Sequence, residues 1–101
     1  MSPIQPHKVS LQDVVAVSPD VVFRNVDGEA VLLNLRSGVY FGLNQTGTRI
    51  WSILTENGSL REVCSRIVAE YNADRELVEN DLVSLTTQLL EKGLVTRSSL
   101  T

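Results

Sequence analysis

Chemistry at a protein site needs a nucleophile, a base or a metal ligand held by partners, and this chain carries few such residues. His7 is the only histidine and Cys64 the only cysteine. His7 lies between Pro6 and Lys8 in an N-terminal stretch, with no second ligand at metal-binding spacing. Cys64 falls in a predicted helix beside Val63 and Ile67, with no sequence-near histidine or cationic cluster to depress its pKa, and reads as a half-buried packing residue. Glu76, Glu79 and Asp81 gather near the start of another predicted helix, where the macrodipole favours acids. No HExxH, GxSxG, phosphate loop or Cys/His ligand pair is present. The sequence therefore predicts no enzyme, no metal and no cofactor.

Backbone groups supply the remaining chemistry. An unpaired strand edge offers N–H and C=O groups to an extended guest, and the segment Val39-Tyr40-Phe41-Gly42-Leu43 is a candidate for such an edge. Alternation sets Tyr40 and Gly42 on one face and Val39, Phe41 and Leu43 on the other. Gly42 lets a neighbouring backbone come close. From pattern alone, these same residues are equally consistent with plain core.

The elements that position this segment follow from periodicity. Val21–Val26 is rich in β-branched and aromatic residues, Asp27-Gly28 suits a tight hairpin, and residues 29–35 supply the return strand. Arg36-Ser37-Gly38 turns the chain into the third strand, residues 39–43. Asn44 is an N-cap for a first helix over 45–56, with Ile50, Trp51 and Leu54 on one face. Asn57-Gly58 ends it, Gly58 suiting the left-handed position. Ser59-Leu60-Arg61-Glu62 reads as a capping box opening a second helix over 60–71. Asp74 caps a third helix over 75–92, whose apolar stripe is Val78, Leu82, Leu85 and Leu89. Gly93 ends it, and residues 94–96 pair briefly or pack back. Residues 1–18 read as a flexible arm, with a short strand or extended stretch just before Pro19, and residues 19–97 as the folded domain. Three antiparallel strands followed by three helices, the last two in helix-turn-helix order, make an α+β, winged-helix-like domain.

The chain has 101 residues, 43% hydrophobic and 21% charged, which suits a single core and one domain. A net charge of −3 with scattered basic residues argues against a non-specific grip on nucleic acid. One cysteine allows no intrachain disulfide and fits a reducing compartment. No apolar run of about 18 residues exists to cross a membrane, and residues 1–8 lack the apolar stretch of a signal peptide. The cytoplasm follows as the default.

The run Val31-Leu32-Leu33-Asn34-Leu35, then Ser37-Gly38-Val39-Tyr40-Phe41-Gly42-Leu43-Asn44-Gln45-Thr46-Gly47-Thr48-Arg49-Ile50-Trp51, resembles the signature of PqqD-like proteins. Asp81-Leu82, Leu85, Leu89 and Gly93-Leu94 resemble its C-terminal half. These proteins recognise the precursors of ribosomally made, post-translationally modified peptides. The resemblance spans about residues 21–95 and implies a three-stranded sheet packed on three helices. It also implies binding of a precursor's leader segment by strand addition, and its presentation to a maturation enzyme such as a leader peptidase, a cyclase or a radical enzyme. Its motif is nearer to free-standing lasso-peptide and generic members than to quinone-cofactor ones. Carried over, the strand contacts are Val39, Tyr40, Phe41, Gly42 and Leu43. On the third helix the contacts are Leu77, Asp81, Ser84, Leu85 and Gln88, of which all but Leu85 share one flank of the stripe; the sequence leaves open which flank faces the groove. Asn44, Gly47 and Trp51 read as residues that maintain the fold.

Two other readings stand beside this one. A winged-helix transcription regulator would read DNA with the third helix, but Arg75, Glu76, Glu79, Asn80 and Asp81 make its first half acidic, and so is the hairpin at Asp27-Gly28-Glu29. An oligomerisation module would give the free edge or the arm to a second copy, as a homodimer.

Overall fold

A computed structural model describes residues 9–98. Strand β1 (Val15–Val17) comes first, followed by β2 (Val21–Val26), β3 (Glu29–Asn34) and β4 (Tyr40–Gly42). Helices α1 (Gln45–Glu56), α2 (Leu60–Tyr71) and α3 (Arg75–Glu91) come next, and β5 (Val95–Arg97) is last. The α+β reading holds: β2, β3 and β4 form an antiparallel sheet in that order.

The hairpin between β2 and β3 turns on Asp27 and Gly28, both at positive φ. That conformation matches the strand twist and sets the register Val26 to Glu29 through Val21 to Asn34. Strand β4 pairs with β3 from Leu33–Tyr40 to Val31–Gly42. The inner face of β3 sends Ala30 and Leu32 into a core with Ile50, Trp51, Leu54, Leu60, Ile67, Leu82 and Leu89. On the outer face Val22, Val26 and Val31 are exposed.

Caps define the helices. Asn44 Oδ1 accepts from the Gly47 N–H at 2.8 Å, as expected. A Cβ on Gly47 would sit 3.3 Å from the Leu43 side chain, so this glycine lets strand and helix pack tightly. Ala30 N–H donates to Thr48 Oγ1 at 2.8 Å and binds α1 to β3. Helix α2 ends on Asn72 in the left-handed region.

Four expectations are corrected. Residues 9–18 are built into the fold rather than forming an arm. Val9 and Val15 are buried, β1 pairs antiparallel with β5, and Asp13 bonds Arg97 at 3.0 Å. The expected tail at residues 1–8 lies outside the described residues. Gly58 does not adopt positive φ; its Cα instead lies so near the Val15 carbonyl that a Cβ would collide with it. Only half the capping box forms: Ser59 Oγ accepts from Glu62 N–H, while Ser59 N–H donates to Asn57 Oδ1 rather than to Glu62. On α3 the fully buried stripe runs Val78, Leu82, Thr86, Leu89, and Leu85 is only partly buried.

Candidate peptide-binding groove

Strand β4 is the last strand of its sheet, so among the described residues its outer side is open. Asn34 N–H donates to the Val39 carbonyl, and Leu43 N–H to the Ala30 carbonyl. Hydrogen-bonded and non-bonded pairs alternate along an antiparallel ladder. The backbones of Val39, Phe41 and Leu43 thus turn toward β3, and the N–H and C=O of Tyr40 and Gly42 face the open edge.

Beside that edge runs a groove of about 410 Å³. One wall is β4 at Phe41 and Gly42; the other is α3 at Asp81, Ser84, Leu85 and Gln88. Leu43 and Ile50, both buried, and the first turn of α1 at Asn44, Thr46 and Gly47 close the floor and one end. The floor is apolar and the α3 wall polar, so a guest strand could bury apolar side chains inward while its backbone pairs with β4.

Two contacts fix the walls relative to each other. Asn34 Nδ2 donates to the Gly93 carbonyl at 3.0 Å, just past the end of α3. The same Asn34 accepts from the Arg36 and Ser37 N–H groups in the turn that launches β4. One buried side chain therefore sets both the strand entry and the helix exit. Lys92 then lies with its ammonium 5.8 Å from the centroid of the Phe41 ring.

Of the residues expected at the site, the groove unites Phe41, Gly42, Leu43, Asp81, Ser84, Leu85 and Gln88. Three stand apart. Tyr40 is 73% exposed with its side chain on the face opposite Phe41, so it reaches the edge through its backbone. Val39 precedes the strand and spends its carbonyl on Asn34. Leu77, 62% exposed, lies a turn before Asp81. The groove spans only about 10 Å of helix, from Asp81 to Gln88, to match a three-residue strand. Sequence reasoning missed Asn34, Thr46, Ile50 and Lys92. Asn34 carried one signal, a polar residue closing an apolar strand pattern just before a turn.

The one cysteine of the chain lies away from the groove. Cys64 is buried in α2; burial pushes its thiol pKa up, against the opposing pull of Arg75. His7 lies outside the described residues. Among the described residues no group of three or more His, Cys, Asp or Glu could hold a metal, and no helix is long and apolar enough to cross a membrane. The arginine opening α3 is tied to α2: Arg75 donates to Ser65 Oγ at 3.2 Å. In the same half of that helix Glu76 and Asp81 are exposed, so the surface that would read DNA is acidic.

No curated protein matches the chain. The structure of TbiB1 in complex with the TbiA(beta) leader peptide is similar, at 41% identity and a TM-score of 0.76, covering 84% of this chain and 99% of that one. A lasso peptide synthetase B1 complexed with the leader peptide is similar at 32% identity and a TM-score of 0.72, covering 81% and 96%. The family described as Coenzyme PQQ synthesis protein D (PqqD) matches residues 29–95, from the start of β3 to the start of β5 and so across the whole groove, and the chain belongs to that family.

Proposed function

We propose that this protein binds the leader segment of a ribosomally synthesised precursor peptide by strand addition at β4 and presents it to a maturation enzyme, in lasso-peptide or related biosynthesis. The observation that carries this reading is the open edge at Tyr40 and Gly42 beside a groove with an apolar floor. Backbone pairing supplies sequence-tolerant affinity, and the pockets over Leu43, Ile50 and Leu85 supply register. The likeness to two leader-peptide complexes supports the choice of guest. Phe41, Gly42, Leu43, Asp81, Ser84, Leu85 and Gln88 are the proposed contacts, with Tyr40 contributing its backbone. The protein does no chemistry of its own in this role, and it works in the cytoplasm, where the precursor is translated.

Titrating the protein with the leader of the precursor encoded beside its own gene tests the reading, with isothermal calorimetry as the readout. Saturable one-to-one binding is expected, and the amides of Tyr40 and Gly42 become protected from hydrogen exchange. Absence of binding at high peptide concentration overturns it.

A further inference from the structure

Four ion pairs among the described residues lie away from the groove. Arg49 pairs with Glu70, Arg66 with Glu56, Arg97 with Asp13, and Arg36 with Asp20. What sets Asp81 and Lys92 apart is their position, with opposite charges flanking the groove. Asp81 lines its wall, exposed and with no ion pair among the described residues. Lys92 projects over the Phe41 ring at the other end, also with no carboxylate partner among the described residues. Glu91 is also exposed there, but it is one residue away on α3, about 100° around the axis.

Strand β4 and helix α3 run in opposite senses along the groove. The Val39 end of the strand lies by Gly93 through Asn34, while Leu43 leads into the α1 turn that shares the groove with Asp81. A guest pairing antiparallel with β4, the more stable arrangement, thus enters with its N-terminal side at Asp81 and leaves with its C-terminal side at Lys92. The two residues are set eleven positions apart along the helix axis, about 16 Å between their backbone positions, or about five residues of extended chain. Side chains on one face of a strand recur at even spacing.

Resting on the leader-binding reading, we propose that Asp81 and Lys92 select the polarity and charge pattern of the guest: a basic residue, followed four or six positions later by an acidic one. The wrong order sets like charges against each other at both ends. Two exposed contacts changing from attraction to repulsion amount to roughly ten-fold in affinity. The effect fades at high salt, where the Debye length falls to about 3 Å.

The test uses fluorescein-labelled variants of the TbiA(beta) leader peptide, with Lys and Glu placed four or six residues apart at every register in both orders. Polarisation binding is read at low and high salt. At one register the Lys-first peptide is expected to bind about ten-fold tighter than the Glu-first peptide, and the doubly exchanged protein Asp81→Lys/Lys92→Glu inverts that preference. Both side chains are exposed, and circular dichroism checks that the exchanged protein folds. Binding of peptides with no dependence on order at any register overturns this inference and leaves the leader-binding reading standing. Failure of every peptide, together with failure of the protein's own neighbouring precursor, overturns both.

Discussion

The Lys92 ammonium stands 5.8 Å from the centre of the Phe41 ring, joining the end of α3 to the edge strand across the groove. An exposed cation over a phenyl face is worth about 0.5–1 kcal/mol, too little to align two elements unaided. Alignment comes from Asn34, buried and bonded at once to Gly93, Arg36 and Ser37. The groove is thus set from beneath by a hydrogen-bonded side chain and only trimmed at its rim by the cation.

Asn34→Ala should therefore damage both stability and binding. Two turn N–H groups lose their acceptor, and Gly93 keeps only the Ser18 hydroxyl, at 2.8 Å. Loss of such buried partners costs about 2 kcal/mol, measurable by urea denaturation. Leader affinity should fall further than that of Ser18→Ala, which leaves the strand turn intact. Equal affinities for the two variants would remove Asn34 from the alignment of the groove.

The outward backbone of Gly42 gives a second prediction. Its N–H faces the open edge and serves no bond within the sheet, and a Cβ there meets nothing within 4 Å. Gly42→Pro should leave the melting temperature nearly unchanged, since edge strands tolerate proline whose missing N–H faces outward. It should also weaken leader binding by at least about ten-fold, through one lost hydrogen bond and the ring itself. Tyr40→Ala, which alters a side chain on the far face, should shift affinity much less. The opposite order of effects would place the guest on the outer face of the sheet.

Gly58 makes a third case, one of stability alone. The Val15 carbonyl occupies the space a Cβ would need, and Val15 N–H donates to the Gly58 carbonyl at 3.0 Å. Gly58→Ala should push β1 from the α1–α2 junction and cost about 1–3 kcal/mol, as overpacking against rigid backbone does. Hydrogen exchange should show loss of protection at Val15 and Ser98, with the amides of β3 unaffected.

Much of this was legible beforehand because local signals agreed with one another. Asp27-Gly28 fixes a hairpin, Asn44 a cap, and the alternation about Phe41 the two faces of the edge strand. Local signals mislead where distant residues decide. Residues 15–17 and 94–96 each carry a short strand pattern, but nothing local tells that the two pair with each other across the whole chain. By sequence Gly58 suits a left-handed helix end; in the fold it is a glycine of close approach. Leu85 fits the apolar stripe by spacing, yet α3 is rotated so that Thr86 is buried and Leu85 meets the groove. Lys92, a charge at a helix end, gave no sign that it would meet Phe41.

The ion pair between α1 and α2 gives a prediction in pH. Arg49 Nε and Nη2 grip the Glu70 carboxylate at 2.8–3.0 Å. The hydrogen bond from Arg49, reinforced by its charge, holds the Glu70 carboxyl below the usual carboxylate range, against a smaller opposing effect of desolvation. A carboxyl whose folded pKa is depressed stabilises the native state above its unfolded pKa, and that contribution disappears as pH falls through the folded value. Stability should therefore drop on acidification below about pH 4.3, the ordinary glutamate value. Glu70→Gln should flatten that part of the acid limb while leaving stability at neutral pH only slightly lower. The site is exposed, so the difference should also shrink in high salt. Thermal melts of both proteins across this pH range decide it: parallel acid limbs would mean that the pair, although formed, contributes nothing to the fold.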